Sequence, residues 1–76
     1  MAGWQPLKRR EFVRRLHALG FSGPHRGARH EFFVHGQRRQ TVPSNSEFSV
    51  PQVKKLLRQV ETVIGRKISA EEWAAL

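Results

Sequence analysis

The sequence predicts an α+β domain in which two helices pack on one face of a three-stranded antiparallel sheet, in the order α-β-β-β-α with a short helical tail. Three observations carry this prediction. Apolar residues recur at helical spacing in two stretches, one before residue 20 and one after residue 50. The stretch between them is rich in aromatic and β-branched residues, and Gly and Pro cut it into strand-length pieces. The chain has 76 residues, of which twenty are Leu, Ile, Val or Phe. That suits one lean core and a single domain over residues 1–76.

Each element follows from local chemistry. Pro6 suits a first helical turn, where its missing N–H has no partner to lose. Phe12, Val13, Leu16 and Leu19 then form one stripe of a helix over 6–19. Gly20 ends it, because glycine tolerates the left-handed position that closes a helix. Phe21 opens a short strand that runs into Gly23-Pro24, and Pro24 to Arg29 reads as a basic loop. His30 to His35 is the next strand, Gly36 its turn, and Arg38 to Val42 the partner, closed by Pro43. Ser44 to Ser49 is a polar connection anchored by Phe48. Val53, Leu56, Leu57, Val60 and Ile64 mark a second helix over 50–64, entered through Ser49-Val50-Pro51-Gln52 and ended by Gly65. Ser69-Ala70-Glu71-Glu72 forms a capping box for a helical tail over 69–76, with Ile68 placed to staple against Trp73. Trp4 and Trp73 read as lids on the core.

Charge is the strongest functional signal. Fourteen Lys and Arg face six Glu, a formal net charge of +8. Residues 1–39 hold nine of those bases and only two of the acids. A small domain with such an imbalance attracts polyanions, and nucleic acid is the commonest of them. The helix arginines Arg9, Arg10, Arg14 and Arg15 read equally well as phosphate grips or as a solvated face.

Other chemistries are excluded or unsupported. No cysteine is present, which removes disulfides, thiolate metal sites and a Cys nucleophile together. Aspartate is absent too, so a Ser-His-Asp triad is impossible. His25, His30 and His35 are five apart, which matches neither a helix face nor one side of a strand, and no metal is expected. No glycine-rich phosphate loop is present, and no cofactor is expected. No apolar run approaches the roughly 18 residues of a membrane helix. The start, Met1 to Pro6, lacks the apolar segment of a signal peptide, and a cytoplasmic location is expected.

With these elements in place, the chain resembles the HicA type of messenger-RNA interferase toxin, one half of a toxin–antitoxin pair. The resemblance spans residues 8 to 73. It rests on a basic first helix ending in Leu19-Gly20-Phe21, on Gly27-Ala28-Arg29-His30 followed by Phe33, and on a strand ending in Val42-Pro43. A helix with Leu56 and Leu57 and the tail Ile68 to Trp73 complete it. Two positions differ from the usual pattern. Ala28 and Arg29 stand where Gly and Ser commonly precede the histidine, and Asn45 stands where a second histidine often follows Val-Pro. The resemblance implies a double-stranded-RNA-binding-domain-like fold, a metal-independent endoribonuclease activity on mRNA, and His30 as its catalytic residue. It also implies a cognate HicB-type antitoxin that covers the active site.

The chemistry suits a histidine. RNA carries its own nucleophile, the 2′-OH beside each phosphate, and an imidazole with a pKa near 6.5 is matched to moving its proton. Guanidinium groups stabilise charge on the phosphorane. Arg26 and Arg29 are nearest in sequence. Arg38 and Arg39 are the other RNA-binding candidates, although they point to opposite sides of their strand, so one at most shares a face with His30. If Phe33 faces the core, alternation turns His30, Phe32 and Val34 onto the free face of the sheet. His25 and His35 read as solvated, and His17 as a boundary residue. The alternative function is a non-catalytic RNA-binding module of the same fold. A helix-in-groove DNA binder is disfavoured, since no tight helix-turn-helix is visible.

Overall fold

The computed structural model describes residues 3–76; Met1 and Ala2, part of the segment read as lacking a leader, lie outside the described residues. The elements run β1 (Leu7–Lys8), α1 (Arg9–Ala18), β2 (Ser22–His25), β3 (Glu31–His35), β4 (Arg38–Val42), β5 (Glu47–Phe48), α2 (Val50–Ile64) and α3 (Ala70–Ala75). Strands β2, β3 and β4 form an antiparallel sheet in that order, and β1 and β5 form a separate two-stranded pair. This is the expected α+β, double-stranded-RNA-binding-domain-like architecture.

One core joins the layers. Phe12 and Leu16 of α1 and Val53, Leu56, Leu57 and Val60 of α2 pack with Phe33 and Val42 of the sheet. Both helices therefore cover the same face. Trp73 of α3 is also buried and lies 5.5 Å from Phe12, ring centre to ring centre. Trp4 is half-buried against the same cluster, so both tryptophans close the core as expected.

The first helix is shorter than its periodicity predicts. It begins at Arg9 because Leu7 and Lys8 pair with Phe48 and Glu47 as strands, and the Arg9 N–H donates to the Ser46 carbonyl at 2.9 Å. A backbone partner thus replaces a capping side chain at this end, and Pro6 lies outside the helix. The polar connection contains β5 for the same reason: Phe48 is fully buried and its neighbours are exposed. The first strand likewise extends past Gly23-Pro24 to His25. Proline is tolerated there because β2 is an edge strand.

The glycine stops and the serine caps are as expected, and one capping box is left half-made. Gly20 and Gly65 have φ of 99° and 81° at helix ends, and Gly36 has 64° at the first position of the two-residue hairpin turn. Ser49 Oγ accepts from the Gln52 N–H, and Ser69 Oγ from the Glu72 N–H at 3.0 Å. The carboxylate of Glu72 does not complete a reciprocal box. Arg66 draws it into a two-point ion pair at 2.9 and 2.7 Å.

Candidate active site

His30 sits at the head of β3, in the bend that returns the chain from β2. Two contacts fix that head. Glu31, the first residue of β3, accepts from Arg9 Nη2 at 2.7 Å, and Arg9 Nε also donates to the Pro43 carbonyl at 3.0 Å. One guanidinium thus clamps the start of β3 and the end of β4 together. On the other side Gly27 lies against the His30 carbonyl, so closely that a Cβ at Gly27 would collide with it. The loop packs down on the backbone of His30 and leaves its side chain outside.

The register then decides what accompanies His30. The hairpin pairs His35 with Arg38, so Phe33 faces Gln40 and Phe32 faces Thr41. Phe33 is fully buried under the helices and Gln40 nearly so, held by Gln59 Oε1 at 2.7 Å. Phe32, Val34, Arg39 and Thr41 therefore point to the opposite, uncovered face. His30 is exposed and shares a shallow concavity of about 300 Å³ with Gly27, Ala28, Arg29, Phe32, Arg39 and Thr41.

Two of the four candidate arginines are brought to this concavity. Arg29 lines it directly. Arg39 reaches it from β4 with its guanidinium carbon 4.3 Å from the Phe32 ring centre. Arg26 is exposed at the start of the loop, outside the concavity. Arg38 leaves on the helix side, where Nη1 donates to the Thr62 carbonyl at 3.3 Å. Adjacent strand residues face opposite ways, so Arg38 and Arg39 separate.

The helix arginines resolve mostly into internal contacts. Besides Arg9, Arg14 binds the Glu11 carboxylate and the Leu76 carbonyl, the latter at 2.7 Å. Arg15 binds Glu11 at 3.1 Å and lies 5.1 Å from the Trp73 ring centre. These two arginines, Arg14 foremost, hold the Glu11 carboxyl far below its ordinary range, at about 2. Among the described residues, Arg10 makes no side-chain hydrogen bond or ion pair and is exposed.

The other histidines have structural contacts. His17 Nε2 is 2.9 Å from the Gly23 carbonyl oxygen. His35 is half-buried rather than exposed, with its ring 5.1 Å from that of Phe21, because its pairing with Arg38 turns it to the helix side. His25 is exposed, but its Nε2 is 3.1 Å from Ser22 Oγ and its ring is 5.3 Å from Phe32. Among the described residues, no three of His, Cys, Asp and Glu gather as metal ligands would. No helix among them is long and apolar enough to cross a membrane.

A family model described as the HicA toxin of bacterial toxin–antitoxin systems matches residues 9–61, over two thirds of the chain. The chain belongs to the HicA toxin family. It is accordingly the toxin component of a toxin–antitoxin pair, with a cognate antitoxin as its partner. The matched span of this HicA toxin runs from the Arg9 clamp through His30 and both sides of the hairpin into α2, and stops short of α3. No curated protein and no solved structure matches the chain.

Proposed function

We propose that this HicA toxin is an mRNA endoribonuclease that inhibits translation, with His30 as the general acid–base on the scissile phosphodiester. The observation that supports it is the placement of one exposed imidazole in the same concavity as Arg29 and Arg39, on an uncovered, basic sheet face. His30 takes the proton from the 2′-OH, and the O2′–P bond forms as the P–O5′ bond breaks. The 5′ oxygen leaves with a proton returned by the imidazolium or by water, and the product ends in a 2′,3′-cyclic phosphate. Arg29 and Arg39 stabilise the charge that builds on the phosphorane oxygens. The nucleophile belongs to the substrate, so the scheme requires no metal.

The antitoxin silences the enzyme by covering His30. A HicB-type protein with an acidic binding side complements the basic half of the toxin, a pairing that speeds encounter and selects the partner.

The test is purified wild type and His30→Ala on one RNA substrate, in the presence of EDTA. Removal of a positioned acid–base costs on the order of 10²–10⁴ in rate, so His30→Ala should lose at least a hundredfold while circular dichroism and RNA affinity are retained. Growth arrest on induction should be lost with it. A variant that still cuts RNA at the wild-type rate would overturn the assignment. If neither protein cuts RNA, and both bind it equally, the domain is an RNA-binding module instead.

A further inference from the structure

The uncovered face of the sheet carries two cross-strand rows. His25, Phe32 and Thr41 lie opposite one another on β2, β3 and β4; Ser22, Val34 and Arg39 form the next row. At the centre Phe32 is half-buried, with the Arg39 guanidinium 4.3 Å from its ring centre and the His25 ring 5.3 Å away at 31°. Ser22 Oγ, 3.1 Å from His25 Nε2, steadies that imidazole. Three flat groups thus stand together, and two of them, Phe32 and Arg39, line the concavity that holds His30.

Phe32 has no task in the interior. The core cluster takes in Phe33 and is flanked by partly buried Trp4, Leu7, Val13, Leu19, Val63, Ile64 and Leu76, without Phe32. A phenyl ring held out of the core, stacked with a guanidinium and set in a basic surface, matches the chemistry that binds an unpaired nucleobase. A base inside a duplex already has its faces covered by its neighbours, whereas an unpaired base can stack on a side chain.

We propose that Phe32, flanked by Arg39 and His25, is a stacking subsite for one unpaired base next to the scissile phosphate, so that the substrate is single-stranded RNA. This rests on the ribonuclease reading of His30, but its test need not. The His30→Ala chain is titrated, by fluorescence anisotropy, with a labelled single-stranded RNA and with the same sequence in a duplex. The single strand should bind at least about tenfold more tightly, since stacking of a base on an aromatic side chain is worth roughly one to two orders of magnitude in affinity. Phe32→Leu in that background should weaken single-strand binding by about 5- to 150-fold and leave duplex binding unchanged. Phe32→Trp should preserve the preference, which guards against a loss caused by misfolding.

Equal affinity for the two RNA forms would overturn the proposal, as would a Phe32→Leu chain that binds the single strand within twofold of its parent. So would a Phe32→Leu chain that binds RNA normally but its antitoxin poorly, because the ring would then be a protein contact. Because binding is read without cleavage, a failure of His30 as the catalytic group shows separately, as RNA cutting that survives His30→Ala.

Discussion

Gly27 has no room for a side chain, because the His30 carbonyl occupies the place where a Cβ would go. Alanine there must push the loop away from the head of β3 and move the imidazole with it. A displacement of about 1 Å at a reacting group can cost on the order of a hundredfold in rate. On the proposed ribonuclease reading, Gly27→Ala should therefore lose RNA-cutting activity by tens to hundreds of fold, while the core residues, none of which it touches, keep the domain folded. Parallel activity assays and thermal melts check this; equal activity with a lowered melting temperature would mean that the loop does not position His30. The resemblance took in this glycine as part of Gly27-Ala28-Arg29-His30, although the usual pattern has its glycine at the position of Ala28. What the sequence concealed was that the backbone of His30, rather than a ligand, fills the space.

At the scale of elements, the Glu11–Arg14–Arg15 cluster gives α1 a titratable brace. The Glu11 carboxyl is held at about 2, below its ordinary 4.5, by Arg14 and then Arg15. A depressed carboxyl pKa stabilises the fold above the unfolded-state value, and that stability disappears as pH falls through the folded value. Glu11→Gln should accordingly melt at a lower temperature than wild type at pH 7, and the gap should close between pH 4.5 and 2. The pair is partly exposed, so the gap should be modest and shrink in high salt. Melting curves at several pH values read it directly.

The same scale shows what was legible. Helix α2, the hairpin and the αL glycines follow from periodicity and turn chemistry, which are local. Thr41 beside His30 was also within reach: a two-residue turn at Gly36-Gln37 fixes the whole β3–β4 register, and counting back from it pairs Phe32 with Thr41. The start of α1 was not legible. Leu7 and Phe48 are about forty residues apart, and no local pattern announces a two-residue strand pair that takes over the first turn of a helix. The pairing of Arg14 and Arg15 with Glu11 is local, three and four residues along α1. The contacts of Arg9, Arg14 and Arg15 with Glu31, Pro43, Leu76 and Trp73 were hidden, because those partners lie far along the chain.

For the molecule as a whole, the net charge of +8 overstates how many cations are available to a ligand. Arg9, Arg14, Arg15, Arg38 and Arg66 are spent on internal contacts. Arg29 and Arg39 stand at the concavity, with Arg26 close by in the chain. Each phosphate contact removed lowers the salt dependence of RNA binding by about one unit of logarithmic slope. Arg29→Ala and Arg39→Ala should each flatten the slope by about that amount, and Arg38→Ala should change it less. Binding isotherms across a salt series measure all three, and identical slopes throughout would show that the charge acts only as a diffuse field.

Both helices cling to one side of the sheet, and the domain's interior ends there. Side chains on the far side touch one another, as Phe32 does Arg39 and His25, but lie outside the core cluster. On the proposed ribonuclease reading, residues on that side can therefore be exchanged, and with them the RNA selected, without disturbing the core. An antitoxin that covers that side, as proposed, would have no such latitude, since its own surface must change whenever the toxin's does.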